Sequence, residues 1–236
     1  MKKTFSADAL KYIAIFTMTL DHVAWFFLPF EGTTAQLFHF LGRLTAPIMC
    51  YFIAEGYTHT RSVSKYAARL LTFGALSQIP WWMLHGNKIS LSFNMLFTLF
   101  LCLMAVLIWD KAENKLLALI CVFALVYLSN WCDWHIYAVL WTLCFFVFKE
   151  SKGKICLSFL AVWIWCFSEN LMNTCYLYGD MAKAIPLALY PVGSLFALPL
   201  IFMYNGKKGK FRWSKQVFYW YYPVHLLIIA ILNEVI

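Results

Sequence analysis

Charge is what this sequence has least of. Asp, Glu, Lys and Arg make up 13% of the 236 residues, against 63% hydrophobic, where a soluble domain carries roughly 25% charged residues. No hydrophilic block is large enough to fold alone. This excludes a soluble enzyme and points to one membrane domain over 1–236. Cysteine is present but never paired: the eight Cys stand singly in apolar segments and no CxxC occurs. A disulfide framework and a thiolate zinc site are thereby excluded. HExxH and HxxxH are missing too, so no metal is expected. Internal repeats and low-complexity tracts are also absent.

What is there is a series of long apolar runs. The start, "MKKTFSADALKYIAIF", has the positive flank of a signal peptide. The run behind it is too long for one and lacks a small-residue cleavage site, so it reads as a retained first span. About 20 apolar residues cross a bilayer. The runs predict nine spans: 9–29, 36–57, 65–84, 93–110, 115–131, 134–149, 154–176, 186–204 and 214–234. The fifth and sixth are short and divided only by "NWCDWH". The expected fold is therefore an all-α, polytopic transmembrane helix bundle.

The net charge of +8 raises the question of nucleic acid, and its distribution answers it. With the N-terminus cytoplasmic, sixteen of the nineteen Lys and Arg fall on the inner side; Arg43, Lys88 and Lys183 remain outside. This is the positive-inside pattern. It places the C-terminus outside, in a multi-pass protein of the bacterial inner membrane, and requires no nucleic acid.

Ionisable side chains within spans are costly and mark function. Span one carries Asp21 and His22, about 16 Å above Lys11 at 1.5 Å per residue. Span two carries His39, Arg43 and Glu55, span three Ser77 and Gln78, span four Asn94, and span nine Tyr222 and His225. His22 and His225 reach similar depth, where Asp21, Arg43, Gln78 and Asn94 can join them. Arg43 is the expected counter-charge of Asp21. Asp21 and His22, about 100° apart on a helix, cannot face the same point, so one faces the reaction and the other a structural partner. Glu55 and His59, at i and i+4, read as a helix-end network. His39, His85 and His135 fall near the outer interface and read as structural.

A second cluster is basic and cytoplasmic: Lys11, Arg61, Lys65 and Arg69, with the 207–215 loop nearby. An anion docking there, with polar chemistry half a membrane away, suits a long thin donor such as a coenzyme A thioester. A neutral His at its tip can act as general base toward an amine or hydroxyl. Arg43 or Asn94 can meet the developing oxyanion.

The stretches "LKYIAIFTMTLDHVAWF", "LGRLTAPIMCYFIAEGYTHT", "KYAARLLTFGALSQIPW", "FNMLFTL" and "KQVFYWYYPVHLLII" resemble, in order, the motifs of the TraX family. That family takes its name from a conjugative-plasmid protein that N-acetylates pilin. It is similar in architecture to the acyltransferase-three membrane enzymes. There a basic residue precedes an essential His on the first helix by the spacing that separates Lys11 from His22. The resemblance implies acetyl transfer from acetyl-CoA, with Lys11 near the donor and His22 essential. One departure stands out: the family's "DYGxxGVL" reads "DWHIYAVL" at 133–140, so His135 and Ala138 replace glycines expected to permit close helix approach.

The reading is a membrane acetyltransferase. His22 and Asp21 are at the reacting centre. Lys11, Arg61, Lys65 and Arg69 hold the donor; Arg43, Glu55, Gln78, Asn94, Tyr222 and His225 line the pocket. The acceptor is a protein, glycan or lipid, reached from the bilayer or the outer side. The alternative is a proton-coupled or small-molecule transporter, against which no inverted repeat or paired broken helices are expected. A metal hydrolase on Asp21, His22, His225 and Glu55 is the third and weakest reading.

Overall fold

The computed structural model describes residues 3–86, 89–211 and 214–235, without the side chains of 214 and 215. The expectations on Lys2, Lys88 and Arg212, and on the side chain of Lys215, lie outside the described residues. Among those described, the regular structure is helical throughout, with only two isolated bridges. The chain is all-α.

The helices are α1 (Ala7–Phe27), α2 (Thr33–Gly42), α3 (Thr45–His59), α4 (Val63–Leu84), α5 (Met95–Lys111), α6 (Lys115–Leu128), α7 (His135–Val147), α8 (Lys152–Tyr178), α9 (Met181–Leu187), α10 (Ala197–Phe202) and α11 (Ser214–Val235). Five of them start on a short polar side chain that caps the first turn. Ser6 Oγ accepts from Ala9 N at 3.3 Å, Ser62 Oγ from Lys65 N at 3.3 Å, and Asn94 Oδ1 from Leu96 N at 3.1 Å. Asn114 and Asp180 do the same for α6 and α9.

Two segments expected as continuous spans are interrupted. Over 36–57 the helix stops at Gly42, turns through Arg43 and Leu44, and restarts at Thr45. Pro47 explains the stop: it has no N–H for the carbonyl four residues back, which is that of Arg43. Over 186–204 the chain forms α9, a 3-10 segment Tyr190–Phe196 and α10. Pro191 likewise cannot bond to Leu187, where α9 ends. The expectation that broken helices are absent is therefore corrected.

Three helical stretches among the described residues are long and apolar enough to cross a membrane: Thr33–His59, Lys152–Tyr178 and Met181–Phe202. The shorter apolar stretches are Lys115–Trp131 and His135–Val147. With 13 residues, α7 is about 20 Å long.

The chain forms two compact units. The first comprises Met1–Ile48 and Gly153–Phe211. In it α1 packs along α2, and α2 against the 3-10 segment 190–196. Leu10, Ala14, Ile48 and Phe159 are wholly buried there. The start of α1 is tied to the loop beyond α10: Ala7 N donates to Lys207 O and Asp8 N to Lys208 O, both at 2.9 Å. The second unit comprises Met49–Lys152 and Arg212–Ile236. There α4 packs against α5 and α11, and α5 against α6 and α7, around Leu103, Val106, Trp141 and Leu226.

Candidate functional site

The first unit holds a charged cluster in an otherwise apolar setting. Asp21 on α1 is buried, and both its carboxylate oxygens are engaged. His39 Nδ1 lies 2.8 Å from Oδ1, and Arg43 Nη2 pairs with Oδ2. His39 and Arg43 come from one helical face, at i and i+4. Their approach depends on Gly42: a Cβ there would stand 2.3 Å from Asp21 Cβ. Gly193 plays the same part for α2 and the 190–196 segment, since its added Cβ would fall 1.8 Å from the Phe40 carbonyl oxygen.

The cluster extends through Tyr190. Its ring lies under the Arg43 guanidinium at 5.2 Å and 5.7 Å from the His39 ring. Its hydroxyl donates to Asn170 Oδ1 at 2.8 Å, and Asn170 Nδ2 donates to Ala188 O at 3.1 Å. Trp25 and Phe30 complete the wall around His39, at 4.4 and 5.4 Å between ring centroids. His39 is fully buried and its Nε2 has no hydrogen-bond partner. Its placement corrects the reading of His39 as a bland interfacial residue. The i,i+4 spacing to Arg43 was the available signal. Tyr190 and Asn170 carried no charge to draw notice.

His22 follows Asp21 in the chain and is half-buried. Lys11 sits on the same unbroken helix, α1. Eleven residues advance about 16 Å and return to within about 20° of the same face. Lys11 and His22 therefore mark the two ends of one stripe. Lys11 is half-buried within electrostatic range of Asp8 and Lys208, and Tyr12 beside it packs on Phe211 at 6.4 Å. The loop residues Lys207, Lys208 and Lys210 are exposed.

The other predicted site residues belong to the second unit. Arg61 and Lys65 are exposed. Arg69 donates through Nε to Tyr219 OH at 3.3 Å, and its guanidinium lies over the Tyr66 and Tyr219 rings at 5.6 and 5.8 Å. Glu55 and His59 approach to 3.8 Å at a helix end, with His59 mostly exposed. No three His, Cys, Asp or Glu side chains group as metal ligands among the described residues.

Asn94, Gln78 and Tyr222 form a neutral network at the start of α5. Asn94 is fully buried. Its Nδ2 donates to Gly74 O and Gln78 Oε1, both at 2.8 Å, while its Oδ1 caps Leu96. Gln78 Nε2 donates to Ser92 O at 2.7 Å. Tyr222 OH accepts from Met95 N at 3.2 Å, another first-turn amide of α5. Both amide hydrogens of Asn94 are spent, so the geometry gives it a capping role and not that of an oxyanion donor. His225 Nδ1 donates to Tyr221 O at 2.9 Å on α11, and its ring is buried beside Tyr222.

The departure at 133–140 also resolves. Trp134 and His135 have φ of 63° and 42°, the only non-glycine residues with positive φ among those described. A glycine at 135 answers to a left-handed backbone, not to close helix approach as expected from the sequence.

No solved structure matches the chain. A probable fimbrial assembly protein FimC of Dichelobacter nodosus is 36% identical over 96% of this chain and 95% of its own length. An uncharacterized protein of Rickettsia prowazekii (strain Madrid E) is 32% identical over 33% of this chain and 27% of its own. The TraX protein family matches over residues 6–233. The ordered motifs, the near-complete match and the full-length relative agree: the chain belongs to the TraX family.

Proposed function

We propose that this chain is an inner-membrane acyltransferase that moves an acetyl group from cytoplasmic acetyl-CoA to an amine or hydroxyl acceptor. The observation that carries the reading is the stripe on α1, with Lys11 at one end and His22 at the other. Lys11, with the loop lysines beside it, meets the phosphates of the donor. The thioester extends along α1 to His22. His22 accepts the proton of the acceptor as it attacks the carbonyl carbon. The new C–N or C–O bond forms, the C–S bond breaks, and the proton passes from His22 to the departing thiolate. Nine spans with the N-terminus inside give the donor its cytoplasmic access. The fimbrial-assembly name of the full-length relative favours a protein subunit of a surface filament as acceptor.

Calorimetric titration of acetyl-CoA and free coenzyme A into detergent-purified protein tests this. Lys11→Ala is expected to weaken both about tenfold, which is 1.4 kcal/mol. His22→Ala is expected to keep binding and lose transfer by about 10²–10⁴-fold. Unaltered transfer by folded His22→Ala overturns the mechanism.

The transport alternative gains one observation, the interruptions of the helix at 43–44 and of the segment 186–204. Discontinuous helices surround substrate sites in many transporters. Solute uptake in liposomes without coenzyme A binding would favour it.

A further inference from the structure

His39 is an expensive way to fill space. A Phe or Leu would occupy the enclosure of Trp25, Phe30 and Tyr190 without a polar atom to satisfy, whereas the imidazole leaves Nε2 buried with no partner. What it gains is on the other nitrogen. Nδ1 lies 2.8 Å from Asp21 Oδ1, and a carboxylate only accepts, so Nδ1 carries the hydrogen. Arg43 takes Oδ2. His39 on α2 and Arg43 at its C-cap thus grip both oxygens of a side chain on α1, with Gly42 letting the helices close.

A grip at two points fixes what a single contact leaves loose, the rotation of α1 about its own axis. Asp21 and His22 differ by about 100° in direction, and a turn of about 20° sweeps a side-chain tip by about 2 Å. We propose that His39 is a positioning residue: with Arg43 it clamps Asp21 and so sets the direction in which His22 faces. This rests on the reading of His22 as the base. It also separates the two neighbours, Asp21 serving the clamp and His22 the reaction.

The test contrasts three replacements in the full chain. His39→Asn places an amide N–H where Nδ1–H stands, His39→Gln places one nearer Nε2, and His39→Phe keeps the ring and neither nitrogen. Two readouts are taken: acetyl-transfer kinetics, and modification of His22 by diethyl pyrocarbonate mapped by mass spectrometry. Misplacing a reacting group by about 1 Å costs about 100-fold. That loss is expected in kcat for His39→Phe and His39→Gln, with KM for acetyl-CoA held. His39→Asn recovers most of it. His22 modification is expected to change in the Phe and Gln variants and to return toward wild type in Asn. If His39→Phe fails to accumulate, the Asn–Gln contrast carries the same information.

Wild-type kcat and His22 reactivity in His39→Phe overturn the proposal. So does recovery by Gln and not Asn, which assigns the function to Nε2. If the wild-type protein transfers no acetyl group, the acyltransferase reading fails alone. The modification pattern then still decides the clamp: His22 following the Asn–Phe contrast supports it, and His22 indifferent to it overturns it.

Discussion

The two units each bury a polar cluster, and the clusters are built to opposite rules. In the second unit Asn94, Gln78 and Tyr222 are neutral, and the Asn94 and Gln78 amides are spent on caps and carbonyls. In the first, Asp21, Arg43 and His39 bring charge into the interior and leave an imidazole nitrogen unused. A saturated network of amides rigidifies and specifies a helix start. A buried ion pair is a poor device for stability alone, because desolvation offsets most of its attraction. Its presence in the first unit points to a demand other than folding.

Breaking the charged cluster should give the largest effect. Arg43→Met strands the Asp21 carboxylate and is expected to destabilise by about 3–5 kcal/mol, while removing both partners costs far less. Denaturant unfolding in detergent of Arg43→Met, Asp21→Asn and the double variant checks this. The double variant should be more stable than Arg43→Met; additive losses would mean that the pair is not coupled.

The neutral cluster should yield less. Asn94→Ala removes a cap and two further hydrogen bonds, with an expected loss of about 2–3 kcal/mol. Acetyl transfer per folded molecule should stay near wild type, since Asn94 holds a helix start. A large drop in kcat without loss of stability would return Asn94 to the reacting centre.

Two glycines sharpen the contrast. A methyl on Gly42 meets Asp21 Cβ at 2.3 Å, whereas on Gly74 the nearest atom is on the Phe97 ring at 3.3 Å. Overpacking at Gly42 is expected to cost about 1–3 kcal/mol. Gly74→Ala should fall within about 1 kcal/mol of wild type, because Ala favours the helix by that amount. Equal effects in thermal unfolding would show that the first unit is no tighter at this contact.

How much of this was legible depended on whether a residue carried charge. The apolar runs located the helices, and charge balance alone pairs Asp21 with Arg43. His39 lies near the outer end of its run, a depth that suits an interfacial residue, and only its i,i+4 relation to Arg43 points to a shared face. Tyr190 and Asn170 act through a ring face and an amide, which leave no trace in a hydropathy profile. Asn94 was legible as a helix cap, standing before "MLFTLF", but polarity at depth suggested a pocket instead. The breaks at Pro47 and Pro191 were written in the sequence, yet long apolar runs hid them. Proline says where a hydrogen bond is lost and not whether the chain continues beyond it.

The smallest effect concerns Trp134 and His135, where non-glycine side chains sit on left-handed backbone. Left-handed backbone costs a residue with a Cβ roughly 1–2 kcal/mol, which glycine escapes. His135 has φ of 42°. It recovers part of that through Nδ1, which lies 3.0 Å from Asn130 O, although the contact is exposed. His135→Ala forfeits the hydrogen bond and keeps the strain; His135→Gly forfeits the bond and releases it. Glycine should therefore be more stable than alanine here by about 1 kcal/mol, the reverse of the order inside a helix. Comparing the two variants by thermal unfolding cancels the lost hydrogen bond and isolates the backbone. An alanine variant as stable as the glycine variant would mean that position 135 does not hold a left-handed conformation.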